Sequence, residues 1–421
     1  MKHLILGNGP AGVIAAENLR QADPKSEIVL AGCEDAPPYS RMAIPYLLEG
    51  GIDETGTYLR KTADYFQRLD IREIRGRAMA LDTTEQSVTF ADGSRETYDR
   101  LLIATGSHPL RPPIPGLDRP QVQTCWTLAD ARAIAELAQP GSRVVQLGAG
   151  FIGCIIMKAL ASLGVDLTVV EMGDRMVPRM MTPTAGNLIR RWVEGRGVKV
   201  RTQVGVASVE GGSDSKAALL VRLTNGESLP CDLLIVSAGV APNVDFLKNS
   251  AVEVGKGVRV DNHMQTKVAG IYAAGDVAEA PDFFTGNPFV SAIQPNAADQ
   301  ARVAALNMAG HDVRMPGALA INVLDTLGMI STSFGQWWGK DQPDGVEHVD
   351  EKHRRYLSLQ FDGEVLIGAT AIGLIEHIGV LRGLIQNKTP LGAWKAVLKA
   401  APLRFAEAYV ARSQQPTALL H

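Results

Sequence analysis

The sequence is short of the residues that usually carry protein-borne catalysis. Its four cysteines, Cys33, Cys125, Cys154 and Cys231, are scattered through 421 residues and make neither a C-x-x-C pair nor a zinc pattern. Isolated thiols of this kind are expected to be buried and inert. The eight histidines are as dispersed, with none paired at metal-ligand spacing. No G-x-S-x-G elbow occurs. Metals and protein nucleophiles are therefore poor carriers of any reaction, and a bound cofactor is the better one. A large excess of charge of either sign is lacking too. The net charge is −3 and no basic block stands out, which argues against nucleic-acid binding. No apolar run approaches membrane-spanning length. The first apolar strand begins at about the second residue, which leaves no room for a signal or transit peptide, and the cytoplasm is the expected location.

Apolar residues and glycine are plentiful. At 46% hydrophobic, a chain of this length can bury the cores of two or three domains. Its opening organises the rest. Leu4-Ile5-Leu6 reads as a buried strand, Gly7-x-Gly9-x-x-Gly12 follows, and Ala11 to Leu19 has helical spacing. Gly7 makes a tight turn, Gly9 lets backbone approach a pyrophosphate, and Gly12 lets helix and strand pack closely. The helix start offers free N–H groups and its positive end to the phosphates. After a second strand, Ile28 to Ala31, Glu34 lies 22 positions past Gly12, near the spacing of a carboxylate that grips ribose. Arg41, in the proline-broken stretch that follows, is placed to answer a phosphate. Leu101 to Gly106 is a further strand, with Thr105 and Gly106 bringing backbone to the same site. The proline-rich joint His108 to Gly116 marks a boundary.

The pattern then repeats. Val144 to Leu147 leads into Gly148-x-Gly150-x-x-Gly153, a helix to about Leu163 and the strand Leu167 to Glu171. Glu171 lies 18 positions past Gly153; a carboxylate there accepts from a free 2′-hydroxyl and repels a 2′-phosphate, which favours NADH over NADPH. Leu233 to Gly239 closes this second unit. Two dinucleotide folds imply two nucleotides, one held and one exchanging. Gly270 to Asp276 delivers an aspartate at a strand end. A helix from Asn296 to Met308 follows. The last region has strand-like pieces (Ala320 to Val323, Tyr356 to Phe361, Val365 to Ala369) and a helical tail. The pair Trp337-Trp338, beside the charged run Lys340 to Arg355, reads as packing or as a partner dock.

In this order the motifs resemble the two-dinucleotide-fold flavoproteins that include coenzyme A disulfide reductase, NADH–rubredoxin reductase and the flavoprotein part of nitrite reductase. The resemblance rests on Gly7 to Gly12, Pro38 to Arg41, Ala104 to Gly106, Gly148 to Glu171, Ile271 to Asp276 and Gln294 to Ala297 with Gln300. It implies an α/β protein: two Rossmann-like domains, the first discontinuous, and an α+β interface domain, usually a homodimer contact. The expected bounds are 1–112 with 241–315 for FAD, 113–240 for NAD and 316–421 for the interface. FAD contacts are implied at Gly7, Gly9, Pro10, Ala11, Gly12, Glu34 and Arg41. Others fall at Ala78, Thr105, Gly106, Gly275, Asp276, Pro295 and Asn296. NAD contacts fall at Gly148, Gly150, Phe151, Ile152, Gly153, Glu171 and Gly239. Asp276 would bind the ribityl chain and Arg41 the FAD pyrophosphate, and the helix near Pro295 would aim its positive end at the flavin pyrimidine edge.

Departures from that family narrow the function. Coenzyme A disulfide reductases carry Asn-Cys-Ala-Leu-Pro-Tyr, with the redox cysteine over the flavin; here the stretch is Arg41-Met-Ala-Ile-Pro-Tyr46, and a thioether at Met42 forms no attacking thiolate. The family glutamate that helps orient nicotinamide is replaced by Ile155, and a lysine found near the flavin of electron-transfer members by Tyr46. Losing both avoids one unpaired buried charge. Gln294 stands where relatives place an aromatic residue. The resulting expectation is an FAD-dependent NADH:acceptor oxidoreductase that passes electrons to a separate protein. The alternatives are an NADH oxidase, or an FAD-binding assembly partner with a degenerate nicotinamide pocket.

Overall fold

A computed structural model describes residues 1–212, 218–340 and 344–413. The elements of its three large sheets are, in chain order, β1 (Lys2–Leu6), α1 (Pro10–Ala22), β2 (Glu27–Gly32), β3 (Ile71–Arg75), β4 (Arg100–Ile103), β5 (Arg143–Leu147), α2 (Phe151–Ser162), β6 (Asp166–Glu171), β7 (Lys199–Thr202), β8 (Leu233–Val236), β9 (Ile271–Ala273) and α3 (Gln294–Met308). The C-terminal strands are β10 (Ile321–Thr326), β11 (Met329–Gly335), β12 (Gly345–Asp350), β13 (Arg355–Asp362) and β14 (Val365–Ile372).

Two compact units result. The first joins Met1–Leu110, Trp126–Leu128 and Val240–Leu319; the second joins Arg111–Cys125, Ala129–Gly239 and the chain from Ala320 onward. The first is built on a parallel sheet of order β9-β4-β1-β2-β3. Alternation along its strands feeds two cores. Ile5, Leu30 and Leu102 meet the alanines of α1 (Ala15, Ala16) and α3 (Ala301, Ala304, Ala305). Leu4, Leu6, Leu101 and Ile103 face Leu81, Val88 and Phe90 of a small antiparallel sheet. Small side chains on both helices let α1 and α3 lie side by side on that face of the sheet, α1 over β1 and α3 over β9, which brings their N-termini to the strand ends.

The second unit repeats the plan with β7-β6-β5-β8 and the short strand Val122–Gln123, all parallel. In the same unit the antiparallel sheet β10-β11-β14-β13-β12 follows. Its first strand packs on α2, where the Lys158 ammonium meets the Asp325 carboxylate at 3.2 Å. The architecture is thus two Rossmann-like folds plus a C-terminal α+β region.

Several elements differ from the sequence reading. Residues 53–75, whose sequence reads as helical and then polar, form a 3-10 turn at Glu54–Thr57, a single α-helical turn at Tyr65–Arg68 and the strand β3. Arg77 to Leu81 and Ser87 to Phe90, which read from sequence as a hairpin-like region turning at Asp92-Gly93, belong to a three-stranded sheet, Ala78–Asp82, Ser87–Phe90 and Arg95–Thr97, with that turn between its last two strands. Strands β11 and β12 were not expected at all. Trp337 is buried, Trp338 is exposed and packs edge-on against it, and residues 341–343 of the charged run lie outside the described residues.

Candidate functional site

Each Rossmann-like half ends its first strand in a glycine turn that is sterically obligatory. Gly7 has φ +109°, and a Cβ on it would lie 2.1 Å from the Ala104 carbonyl oxygen; on Gly12 it would lie 1.8 Å from that of Gly7. Gly148 (φ +101°) and Gly153 repeat this against the Ser237 and Gly148 carbonyls, both at 2.5 Å. The middle glycines differ: a Cβ on Gly9 or Gly150 would meet nothing within 4 Å. These two glycines are the N-caps of α1 and α2, and neither helix has a side-chain cap. Open space in front of unsatisfied N–H groups is what a pyrophosphate requires. Pro10, Ala11, Phe151 and Ile152 form the first turns of those helices.

The carboxylate positions diverge. In the second half, Leu147 pairs with Val170, and Glu171 follows at the end of β6. Its Oε2 accepts from the Ala149 N–H and its Oε1 from the Gly173 N–H, both at 2.7 Å. In the first half Leu6 pairs with Ala31, so the matching position is Gly32, followed by the exposed Cys33. Glu34 sits two residues further on and is turned to protein partners: Oε2 accepts from the Tyr39 hydroxyl and Oε1 from Arg41 Nη2, each at 2.6 Å.

Asp276 stands just past β9, where Gly275 (φ +83°) donates its N–H to Gln300 Oε1 at 2.8 Å. The Ser107 hydroxyl donates to Asp276 Oδ2 at 2.7 Å. Burial raises the Asp276 carboxyl above the usual carboxylate range, against the pull of Ser107 and of Arg41. Thr105 and Asn243 exchange two bonds, 2.9 Å from the Thr105 hydroxyl to the Asn243 carbonyl and 2.8 Å back, which fixes the Thr105–Gly106 backbone beside it. At the start of α3, again without a side-chain cap, Pro295 occupies the first turn and the Gln294 side-chain Oε1 accepts from Ser40 Oγ at 2.9 Å. Asn296 is buried and donates to Ser291 and Leu319, so its amide is committed to structure. Ala78 opens the first strand of the small sheet, half-buried, and Gly239 (φ +108°) follows β8. Gln300 and its buried, unpartnered Nε2, as well as Ser107 and Trp126, belong to this neighbourhood although no motif singles out the latter two.

Met42 lies in the one-turn segment Arg41–Ala43 and is 44% exposed, and Tyr46 is 55% exposed. Ile155 lies in α2, half-buried. Cys125, Cys154 and Cys231 are buried, and burial pushes their thiols up to about 12. Among the described residues no group of His, Cys, Asp and Glu could hold a metal, and no helix is long and apolar enough to cross a membrane. Native protein treated with iodoacetamide is therefore expected to take label at Cys33 alone and to keep its NADH-to-dye turnover; peptide mass mapping and a dye assay check this, and lost turnover at retained fold would reveal a thiol in the reaction.

The similarity to known proteins is extensive. Residues 1–305 match the family model described as pyridine nucleotide-disulphide oxidoreductase. The chain is 32% identical over 407 residues to the NADH-dependent phenylglyoxylate dehydrogenase subunit epsilon of Aromatoleum evansii, covering 96% of this chain and 95% of that one. It is 29% identical to a rubredoxin-NAD(+) reductase of Pseudomonas putida, covering 92% and 99%. The ferredoxin reductase for the CYP199A2 system from Rhodopseudomonas palustris superposes with TM-score 0.83 at 26% identity, over 90% and 93% of the two chains. Putidaredoxin reductase in its covalent complex with putidaredoxin shares the fold, with TM-score 0.90 at 23% identity over 98% and 99%. The chain belongs to the pyridine nucleotide-disulphide oxidoreductase family.

Proposed function

We propose that this protein is an FAD-dependent NADH oxidoreductase that exchanges electrons with a separate protein, without a redox cysteine. The observation that carries the reading is the pair of glycine turns whose middle positions, Gly9 and Gly150, open in front of uncapped helices. Both cradles fit a dinucleotide pyrophosphate, which supplies the acceptors those N–H groups lack. In the first, the start of α1 and Arg41 would hold the diphosphate of FAD, and Asp276 would accept from a ribityl hydroxyl. Pro295 and the backbone at the start of α3 would set a positive helix end near the ring system, worth ~0.3–1 kcal/mol for negative charge at an exposed site. In the second, Gly148, Gly150, Phe151, Ile152 and Gly153 would hold NADH, with Glu171 on its ribose and Gly239 closing the far side. Bound there, the two cofactors supply hydride transfer from nicotinamide to flavin and onward release of electrons. The protein contributes placement, and no side chain acts as acid or base. Residues 1–112 with 241–315, 113–240 and 316–421 serve as the FAD, NAD and interface parts, the last as a homodimer contact.

The relatives support a protein as the other redox partner: one is a reductase named for rubredoxin, another a subunit of a larger dehydrogenase. Ile155 favours a second reading, in which FAD is retained as structure and NADH reduces it poorly. Anaerobic titration of the purified protein with NADH separates the two. Bleaching of the flavin's visible absorbance is expected; a spectrum that NADH leaves unchanged while dithionite bleaches it refutes the oxidoreductase.

A further inference from the structure

Three residues of the stretch between Leu110 and Val240 belong to the first unit, Trp126–Leu128, and the geometry around the first of them explains why. The Arg41 guanidinium lies over the rings of both Trp126 and Tyr39, at 5.4 Å and 5.5 Å from their centroids. Its Nη1 donates to the Trp126 carbonyl at 2.6 Å and to the Tyr39 hydroxyl at 3.0 Å, and its Nη2 donates to Glu34 at 2.6 Å. The Trp126 indole N–H is anchored in turn on the Ser107 carbonyl at 3.0 Å, and the Ser107 hydroxyl donates to Asp276. One tryptophan thus stands between the arginine and the carboxylate of the same site.

We propose that Trp126 is a positioning residue for the FAD diphosphate: it seats Arg41 so that, with Nη2 paired to Glu34, the remaining N–H groups stay turned to the ligand. The inference rests on the FAD reading above. The bonds named use three of the five N–H groups of a guanidinium, leaving two for an anion. A flexible arginine with one carboxylate partner would spend its charge on that partner. Two aromatic rings and a carbonyl hold it in place before the ligand arrives, and a group held beforehand loses less freedom on binding. A stacked, partly desolvated guanidinium is also held more firmly than an exposed one.

Apoprotein titrated with FAD, followed by quenching of flavin fluorescence, tests this. Trp126→Leu removes the ring and keeps the backbone carbonyl; it is expected to raise the FAD Kd about tenfold. In an Arg41→Ala background the same change is expected to add nothing, because Trp126 acts through Arg41. If circular dichroism shows the leucine variant unfolded, Trp126→Met gives the same comparison. A leucine variant with wild-type Kd, or an equal loss with and without Arg41, overturns the proposal while leaving the FAD site standing. Wild-type protein that takes up no FAD overturns the site itself and the proposal with it.

Discussion

Replacing Asp276 with asparagine is expected to move stability and binding in opposite directions: the FAD-free protein melts higher, and FAD binds roughly 10- to 100-fold more weakly. The binding loss follows from trading a charged acceptor for a neutral one. The stability gain follows from burial, which holds the Asp276 carboxyl above its ordinary 3.8. A carboxyl raised on folding binds a proton that the unfolded chain has released, so the folded state loses ground as pH climbs from 3.8 through the raised value, and the full penalty persists at neutrality. Asparagine carries no such charge and still offers Ser107 an oxygen. The difference in melting temperature between the FAD-free proteins should therefore be large at pH 7 and shrink toward pH 4. Melts across that range, with FAD titrations at pH 7, check both halves. An asparagine variant that melts lower and holds FAD as tightly as wild type contradicts the assignment of Asp276 to the ligand.

The second large effect concerns coenzyme choice. With Glu171→Gln, the ratio of kcat/KM for NADH to that for NADPH is expected to fall about 10- to 100-fold. The geometry sharpens the sequence argument. Both Glu171 oxygens are tied to backbone N–H groups of the glycine turn and of the loop after β6, so the charge cannot swing aside to admit a 2′-phosphate. Steady-state rates with both coenzymes measure it, and wild-type protein that uses NADPH as well as NADH would refute the role outright. The glutamine amide cannot accept from both N–H groups, so a modest drop in melting temperature accompanies the change in preference.

The glycine turns, the parallel strands around them and Asp276 were legible because each is fixed by local sequence: a short apolar run, then glycines whose first and third positions no other residue can fill sterically. Strand β3, Ile-Arg-Glu-Ile-Arg, was not legible, because an edge strand buries little and its polar residues read as loop. Strand β11 carries Ser331, Thr332 and Ser333, all buried within the C-terminal sheet, so its tertiary setting overrides a polar pattern. Counting residues from the last glycine brought Glu34 forward. Register sets the position instead, and the helix-to-strand link differs between the halves: Gly12 to Gly32 spans 20 residues where Gly153 to Glu171 spans 18. Trp126 carried no signal at all, since its place beside Arg41 depends on the chain crossing from one unit into the other.

The strand β9, which pairs with β4 from about 170 residues further along, has a consequence for how the protein is made. As the nascent chain emerges, β1 to β4 can pair early, but one edge of their sheet stays open until β9 is synthesised. The alanine face of α1 likewise waits for α3, which ends at Met308. At ordinary translation rates the interval between β4 and the end of α3 lasts roughly 10–40 s. The half-built sheet spends that time with an unpaired edge and uncovered apolar surface, and Asp276 has not yet been added. With Asp276 in the role proposed for it, the flavin site is complete only after that residue has emerged, and the first hundred residues wait longest with apolar surface uncovered.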